Sequence, residues 1–185
     1  ADVRGSVDNL KLRALRLRPA FVLASRASRV EAHQRPLREM PDPSWFGEVL
    51  VQVRAGEADV VLNDTDQYAA LGATPHHGRP GLVAGGGIIS IQAPEVLQDR
   101  SEVAYRVRVE PGGDAVIERE ERFYGTAYGW RRKFYAELPP EERRRAYQKM
   151  VAALSQSAEP VGDLVTEFEA YPGREAFRVR WNRFA

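Results

Sequence analysis

Between Phe46 and Asn63 the chain alternates so regularly that it constrains everything around it. In FGEVLVQVRA, Val49, Val51 and Val53 point to one side of an extended strand, while Glu48, Leu50 and Gln52 point to the other. Ala55-Gly56-Glu57 supplies a turn, and ADVVLN over residues 58–63 reads as a second strand, so the two form an antiparallel hairpin. The chain must therefore be built around an antiparallel sheet.

Other elements group about this hairpin. Asp8 or Ser6 can cap a helix running to about Arg18, with Leu10, Ala14 and Leu17 as its apolar stripe, and Pro19 stops it. AFVLAS, residues 20–25, reads as a short buried strand. Residues 26–44 are polar and contain Pro36, Pro41 and Pro43, which predicts a long surface loop. Residues 72–87 hold six glycines, two prolines and the pair His76-His77, and read as a loop or a linker between subdomains. Beyond it the pattern changes. A short strand is predicted at 88–92. EVAYRVRVEP then places Val103, Tyr105, Val107 and Val109 on one strand face, and the turn at Pro111-Gly112-Gly113-Asp114 leads into AVIEREERFYG as a second hairpin. Residues 127–156 are helical, with Pro139-Pro140 opening a second helix whose Glu-Glu start suits the helix dipole and whose stripe is Ala146, Met150, Ala153 and Leu154. Two last strands, near 163–171 and 175–183, complete a sheet covered by the helical pair. The predicted class is α+β, divided into residues 1–75 and a β-rich domain, 76–185, with helices near 127–156.

Composition removes several classes. At 185 residues, 43% hydrophobic and 29% charged, the chain can bury a real core. With 27 basic against 26 acidic residues, interspersed, it carries no field that would draw nucleic acid or anionic lipid. It has no cysteine, hence no disulfide, thiolate metal site or cysteine nucleophile of its own. Its longest apolar stretches fall far short of the roughly 20 residues that span a bilayer. ADVRGS is no signal peptide, and a start without Met that runs at once into a helix pattern reads as a mature product or an excised fragment, with the fragment favoured.

The polar motifs mostly have ordinary readings. His76-His77 lacks a third ligand, adjacent residues rarely reach one ion, and the pair is expected to be solvent-exposed; His33 lies in the long polar loop. Asn63-Asp64-Thr65-Asp66 lacks the spaced ligands and terminal Glu of a Ca²⁺ loop and reads as an Asx turn. Gly85-Gly86-Gly87 precedes a strand instead of opening a helix, which argues against a phosphate cradle. Arg131-Arg132-Lys133 and Arg143-Arg144-Arg145 are interleaved with Glu137, Glu141 and Glu142 and read as solvated helix faces. Ser25 and Ser44 have no triad context. No metal or cofactor is expected.

At the hairpin the sequence resembles the transglutaminase-like superfamily, specifically large bacterial proteins with such a core between an N-terminal β domain and a C-terminal β-rich domain. Members show G-x-C-x-D-x-x-x-L-L at a helix start, then a strand with F-N-H-x-x-V, then a strand ending L-D-x-T. Here Gly5-Ser6-Val7-Asp8-Asn9 precedes the helix, Phe46-Gly47-Glu48-Val49-Leu50-Val51 matches the histidine strand, and Leu62-Asn63-Asp64-Thr65 matches the aspartate strand, followed by the turn at Ala70-Leu71-Gly72. Gly78–Val83 and the later hairpin resemble the same proteins' C-terminal domain, so the likeness covers most of the chain. It implies a truncated papain/transglutaminase-like helix-plus-antiparallel-sheet unit followed by a β-rich domain with a helical pair. It also puts the nucleophile at Val7, the base at Glu48 and the orienting acid at Asn63, none of which can do the inherited job of thiolate attack on an amide.

Three functional expectations follow. The first is a pseudoenzyme, a non-catalytic transglutaminase-like module with a binding or architectural role in a larger, extracytoplasmic bacterial protein, with Trp45, Glu48, Asn63, Asp64 and Tyr68 as binding residues. Its partner would be a protein, a peptide or other domains of the parent chain, with no nucleic acid and no membrane insertion. The second is a portion of an active transglutaminase-like cysteine protease or amidase whose Cys and His lie elsewhere or were substituted. The third is an isolated β-rich interaction domain. Convergence of Val7, Glu48 and Asn63 within hydrogen-bonding distance or one water would support the first.

Overall fold

In a computed structural model, the structure describes Leu17 and residues 19–40, 42–55, 58–62 and 67–184. The helix expected over residues 8–18 lies, apart from Leu17, outside them. The described chain is a mixed α+β protein with two antiparallel sheets, and it divides into compact units at Gln98/Asp99.

The first unit is a five-stranded sheet made of β1 (Ala20–Ser25), β2 (Phe46–Ala55), β3 (Ala58–Leu62), β4 (Pro80–Val83) and β5 (Ile88–Ser90), in the order β3-β2-β1-β4-β5. The expected hairpin is present, with Val53 opposite Val60 and Val51 opposite Leu62. β1 lies antiparallel on its other side, with Val22 opposite Leu50 and Ala24 opposite Glu48. The alternation has a direct consequence. Val22, Ala24, Leu50, Val61 and Ile91 form one buried cluster, with Val83 and Ile89 packed against it, and each large aliphatic buried there contributes roughly 1.5–3 kcal/mol. Val51 and Val53, on the opposite face, are buried too.

Two expectations are corrected here. Residues 72–87 are no linker between subdomains, and the sheet does not end at residue 75, because β4 pairs with β1 and β5 with β4. Glycine makes that join possible: a Cβ on Gly81 would stand 2.6 Å from a Val22 methyl and 2.9 Å from Ile91. The polar stretch 26–44 is likewise not all loop, since Glu31–Glu39 is a helix, α1. It buries Leu37 and Gln34, whose side-chain amide donates to the carbonyls of Ser28 and Gly78, and it is laced by Arg35–Glu39 and Arg38–Glu31 ion pairs. Burial of one face on the sheet side outweighs the hydrogen bond that Pro36 removes from the helix interior.

The second unit is built on β6 (Ser101–Val109), β7 (Ala115–Phe123), β8 (Ala158–Pro160), β9 (Val165–Glu167) and β10 (Gly173–Trp181), in the order β6-β7-β10-β8, with β9 also on β10. Two helices, α2 (Gly125–Glu137) and α3 (Pro140–Leu154), pack on it, as the helical pair predicts. The strand expected near 163–171 is only Val165–Glu167, and Ala158–Pro160 adds an unexpected short one. The stripe of α3 is also displaced by one residue: Tyr147 and Val151 are buried with Met150 and Leu154 beside them, whereas Ala153 is exposed. Tyr147 replaces Ala146 because its ring packs edge-on against Phe177 and its hydroxyl donates to backbone carbonyls. Ala115, Ile117, Phe177 and Val179 complete this core.

Beside it lies a buried polar knot. Glu175, 1% exposed, accepts from the Tyr135 hydroxyl and faces Arg119 at 3.4 Å and Arg131 at 3.9 Å. Burial, followed by the bond to Glu175, pushes the Tyr135 phenol well above its ordinary range.

Candidate functional site

Of the three positions to which the resemblance assigns a triad, Val7 and Asn63 lie outside the described residues, as does Asp64. Glu48 lies on β2, on the face that carries the aliphatic cluster, opposite Ala24. Trp45 closes the short 3₁₀ turn before β2, is about half exposed, and its carbonyl accepts the Arg26 amide at 3.1 Å. Tyr68 is half-buried in the turn that follows β3.

What meets Glu48 is a residue expected in solvent. His76 is 5% exposed, and its Nε2 lies 3.0 Å from a Glu48 carboxylate oxygen. The approach is close but not aligned as a hydrogen bond, and Nδ1 has no hydrogen-bond partner among the described residues. Thr74 braces the loop locally, its hydroxyl accepting the His76 amide at 3.2 Å. His77, half-buried, accepts the Ala93 amide on Nδ1 at 3.1 Å. The Gly/Pro-rich loop therefore folds its histidines inward, because β4 and β5 carry the chain back onto β1 and pull the loop with them. The loop's own composition contains no signal of that burial.

Chemically, Glu48 and His76 are a carboxylate against an imidazole, the arrangement that orients a general base. No cysteine exists in the chain to be activated. Among the described residues no three His, Asp or Glu side chains gather as a metal site would need.

The second unit carries a different surface on the sheet face away from its core. Cross-strand register places Ala104, Arg106 and Arg108 of β6, Glu118 and Glu120 of β7, and Arg174, Ala176 and Arg178 of β10 on one face. Glu118 sits between Arg106 at 3.0 Å and Arg178 at 2.7 Å. Glu120 sits between Arg122 and Arg174, each at 3.0 Å, and Arg174 reaches Glu167 at 3.2 Å. Hydrogen bonding from Arg106 lowers the Glu118 carboxyl below its usual range, and Arg122 followed by Arg174 does the same for Glu120. Over this ladder lies an open groove of about 660 Å³, floored by the small side chains Ala104 and Ala176 and walled by Val161, Gly162, Asp163 and Val165. Its charges are balanced, so it complements another mixed-charge protein surface better than a polyanion. The basis for it is visible in the sequence as charges that recur with the strand period of two: Arg106 and Arg108 in YRVRV, Glu118, Glu120 and Arg122 in VIEREER, and Arg178 and Arg180 in REAFRVR. A count of net charge cannot reveal it.

Comparison with protein-family models, with curated proteins and with solved structures gives no match.

Proposed function

We propose that this chain is a non-catalytic module with a binding or architectural role in a larger extracytoplasmic bacterial protein: a transglutaminase-like helix-and-sheet unit that has lost its triad, followed by a β-rich unit. The observation that carries this reading is Glu48. At the strand position where the resemblance implies a catalytic histidine, a carboxylate lies against the buried imidazole of His76. The contact joins the loop after β3 to the sheet. A general base needs a nucleophile or water to deprotonate, and Val7 at the nucleophile's position has no proton to give. A protein or peptide partner suits the second unit, whose ladder of alternating charges and small-residue groove can be matched by complementary side chains.

The test is turnover. Incubated with a glutamine-bearing peptide and a primary amine, the chain is expected to release ammonia no faster than buffer, for the wild type and for Glu48→Gln alike. Release by the wild type that Glu48→Gln lowers by about 100-fold or more, the scale of a lost general base, would overturn the reading.

A further inference from the structure

The strand β6 is the outer edge of the second sheet, and every one of its nine residues is exposed. Its register with β7 runs without interruption from Ser101 to Val109, with no bulge, and SEVAYRVRV contains no proline or lysine. Bulges, proline and lysine are among the devices that keep an edge from pairing, and the charges the strand does carry, Glu102, Arg106 and Arg108, all lie on one face. The absence of those devices is joined by an apolar row: Val103, Tyr105, Val107 and Val109 are 44, 56, 47 and 51% exposed. They lie on the face that on β7 and β10 is buried beneath the helices.

The backbone is equally ready. Beyond the two ends of the β6–β7 ladder, the Glu110 amide donates to the Asp114 carbonyl at 2.7 Å and the Tyr124 amide donates to the Arg100 carbonyl at 3.1 Å. In an antiparallel ladder such pairs alternate, so even-numbered residues of β6 spend their backbone groups on β7 while Val103, Tyr105, Val107 and Val109 aim theirs at the open edge.

We infer that a second copy of this chain pairs with β6 edge to edge, antiparallel, about a two-fold axis at Tyr105, joining the two sheets into one. The side chains select both partner and register. With Tyr105 opposite its own copy, Val103 meets Val107 on the apolar face, and on the charged face Ala104 meets Arg106 and Glu102 meets Arg108, each twice by symmetry. Arg108 needs such a partner: its neighbour on β7 is Val116, and among the described residues it makes no ion pair, whereas Arg106 is held by Glu118. Sliding by one pleat shortens the overlap in either direction, and sets Arg106 against Arg106 in one and Arg108 against Arg100 in the other. A shift of half a pleat sets apolar residues against charged ones. This inference is independent of the reading of Glu48.

The absence of cysteine makes the test clean. In the full chain, Tyr105→Cys places two sulfurs on the axis, where paired Cα atoms stand about 5.5 Å apart, within disulfide reach. Val109→Cys sets them eight residues apart along the strands, roughly 27 Å. Mild oxidation is expected to cross-link Tyr105→Cys at least about tenfold faster than Val109→Cys, while sedimentation equilibrium of the unmodified chain shows a concentration-dependent dimer. Arg108→Glu is expected to push the chain to monomer and Glu102→Arg with Arg108→Glu to restore the dimer. Equal cross-linking of the two cysteine variants, a chain monomeric at every concentration, or a dimer indifferent to Arg108→Glu would each overturn the inference. Should Arg108→Glu fail to fold, the cysteine pair decides alone.

Discussion

Replacing Glu175 with alanine is expected to destabilise the second unit by about 3–5 kcal/mol, the usual cost of removing one partner from a buried ion pair. The carboxylate is 1% exposed and ties its own strand β10 to two other elements, through Arg119 of β7 and through Arg131 and Tyr135 of α2. Without it, the Arg119 guanidinium stays in a largely buried place with only Glu121 as an acidic neighbour, and the Tyr135 hydroxyl loses its acceptor. The cost is therefore that of stranding these groups, not the net worth of the knot, which an apolar replacement of the whole set could match. Glu175→Gln keeps an acceptor for Tyr135 and should cost less. Urea unfolding of the two variants checks both statements, and a loss below about 1 kcal/mol for Glu175→Ala, the level of an ordinary substitution, would show that water repairs the site.

The second large effect is expected at the start of α2. Gly125 has φ of 61°, in the left-handed region, and a Cβ there would stand 2.4 Å from the Asp99 carboxylate and 2.7 Å from the Asp99 amide nitrogen. Asp99 cannot easily withdraw, because its carboxylate accepts both the amide and the hydroxyl of Thr126, at 2.6 and 2.7 Å. Gly125→Ala combines a backbone penalty of about 1–2 kcal/mol with an overpacking cost of about 1–3 kcal/mol, so a loss of about 2–5 kcal/mol is expected in denaturant titration. Gly112→Ala is the control. Nothing lies within 4 Å of its would-be Cβ, and its effect should stay within about 0.5 kcal/mol.

The strands were legible because a period of two survives translation into structure with little interference. Ala20–Ser25, the Phe46–Leu62 hairpin and the Ser101–Phe123 hairpin all follow from alternation bounded by turn residues. The helical pair was legible from Pro139-Pro140 and the acidic start that follows. The failures share one cause, which is that tertiary contacts reverse a local signal. α1 forms in a proline-bearing polar stretch because Leu37 and Gln34 find buried places on neighbouring chain segments far away in sequence. The loop of residues 72–79 reads as a linker, yet β4 returns to β1 only because Gly81 lets the strands and Ile91 close up. That return buries His76 beside Glu48, 28 residues earlier in the numbering, a distance across which no local pattern reaches. Of the candidate site, Glu48 was therefore visible in the sequence and its partner was not. The Arg–Glu ladder was present as spacing but became a surface only once β7 and β10 lay in register, with Glu118 opposite Arg178.

In the function proposed, Glu48 fastens the His76 loop to the sheet through its 3.0 Å contact with the imidazole. A double-mutant cycle in stability with Glu48→Ala and His76→Ala tests it most directly. The expected coupling energy is about 0.5–1 kcal/mol or more, since residues in contact lose the same interaction in either single variant. Single effects that add to within about 0.3 kcal/mol, as they do for distant independent sites, would leave Glu48 without that structural role.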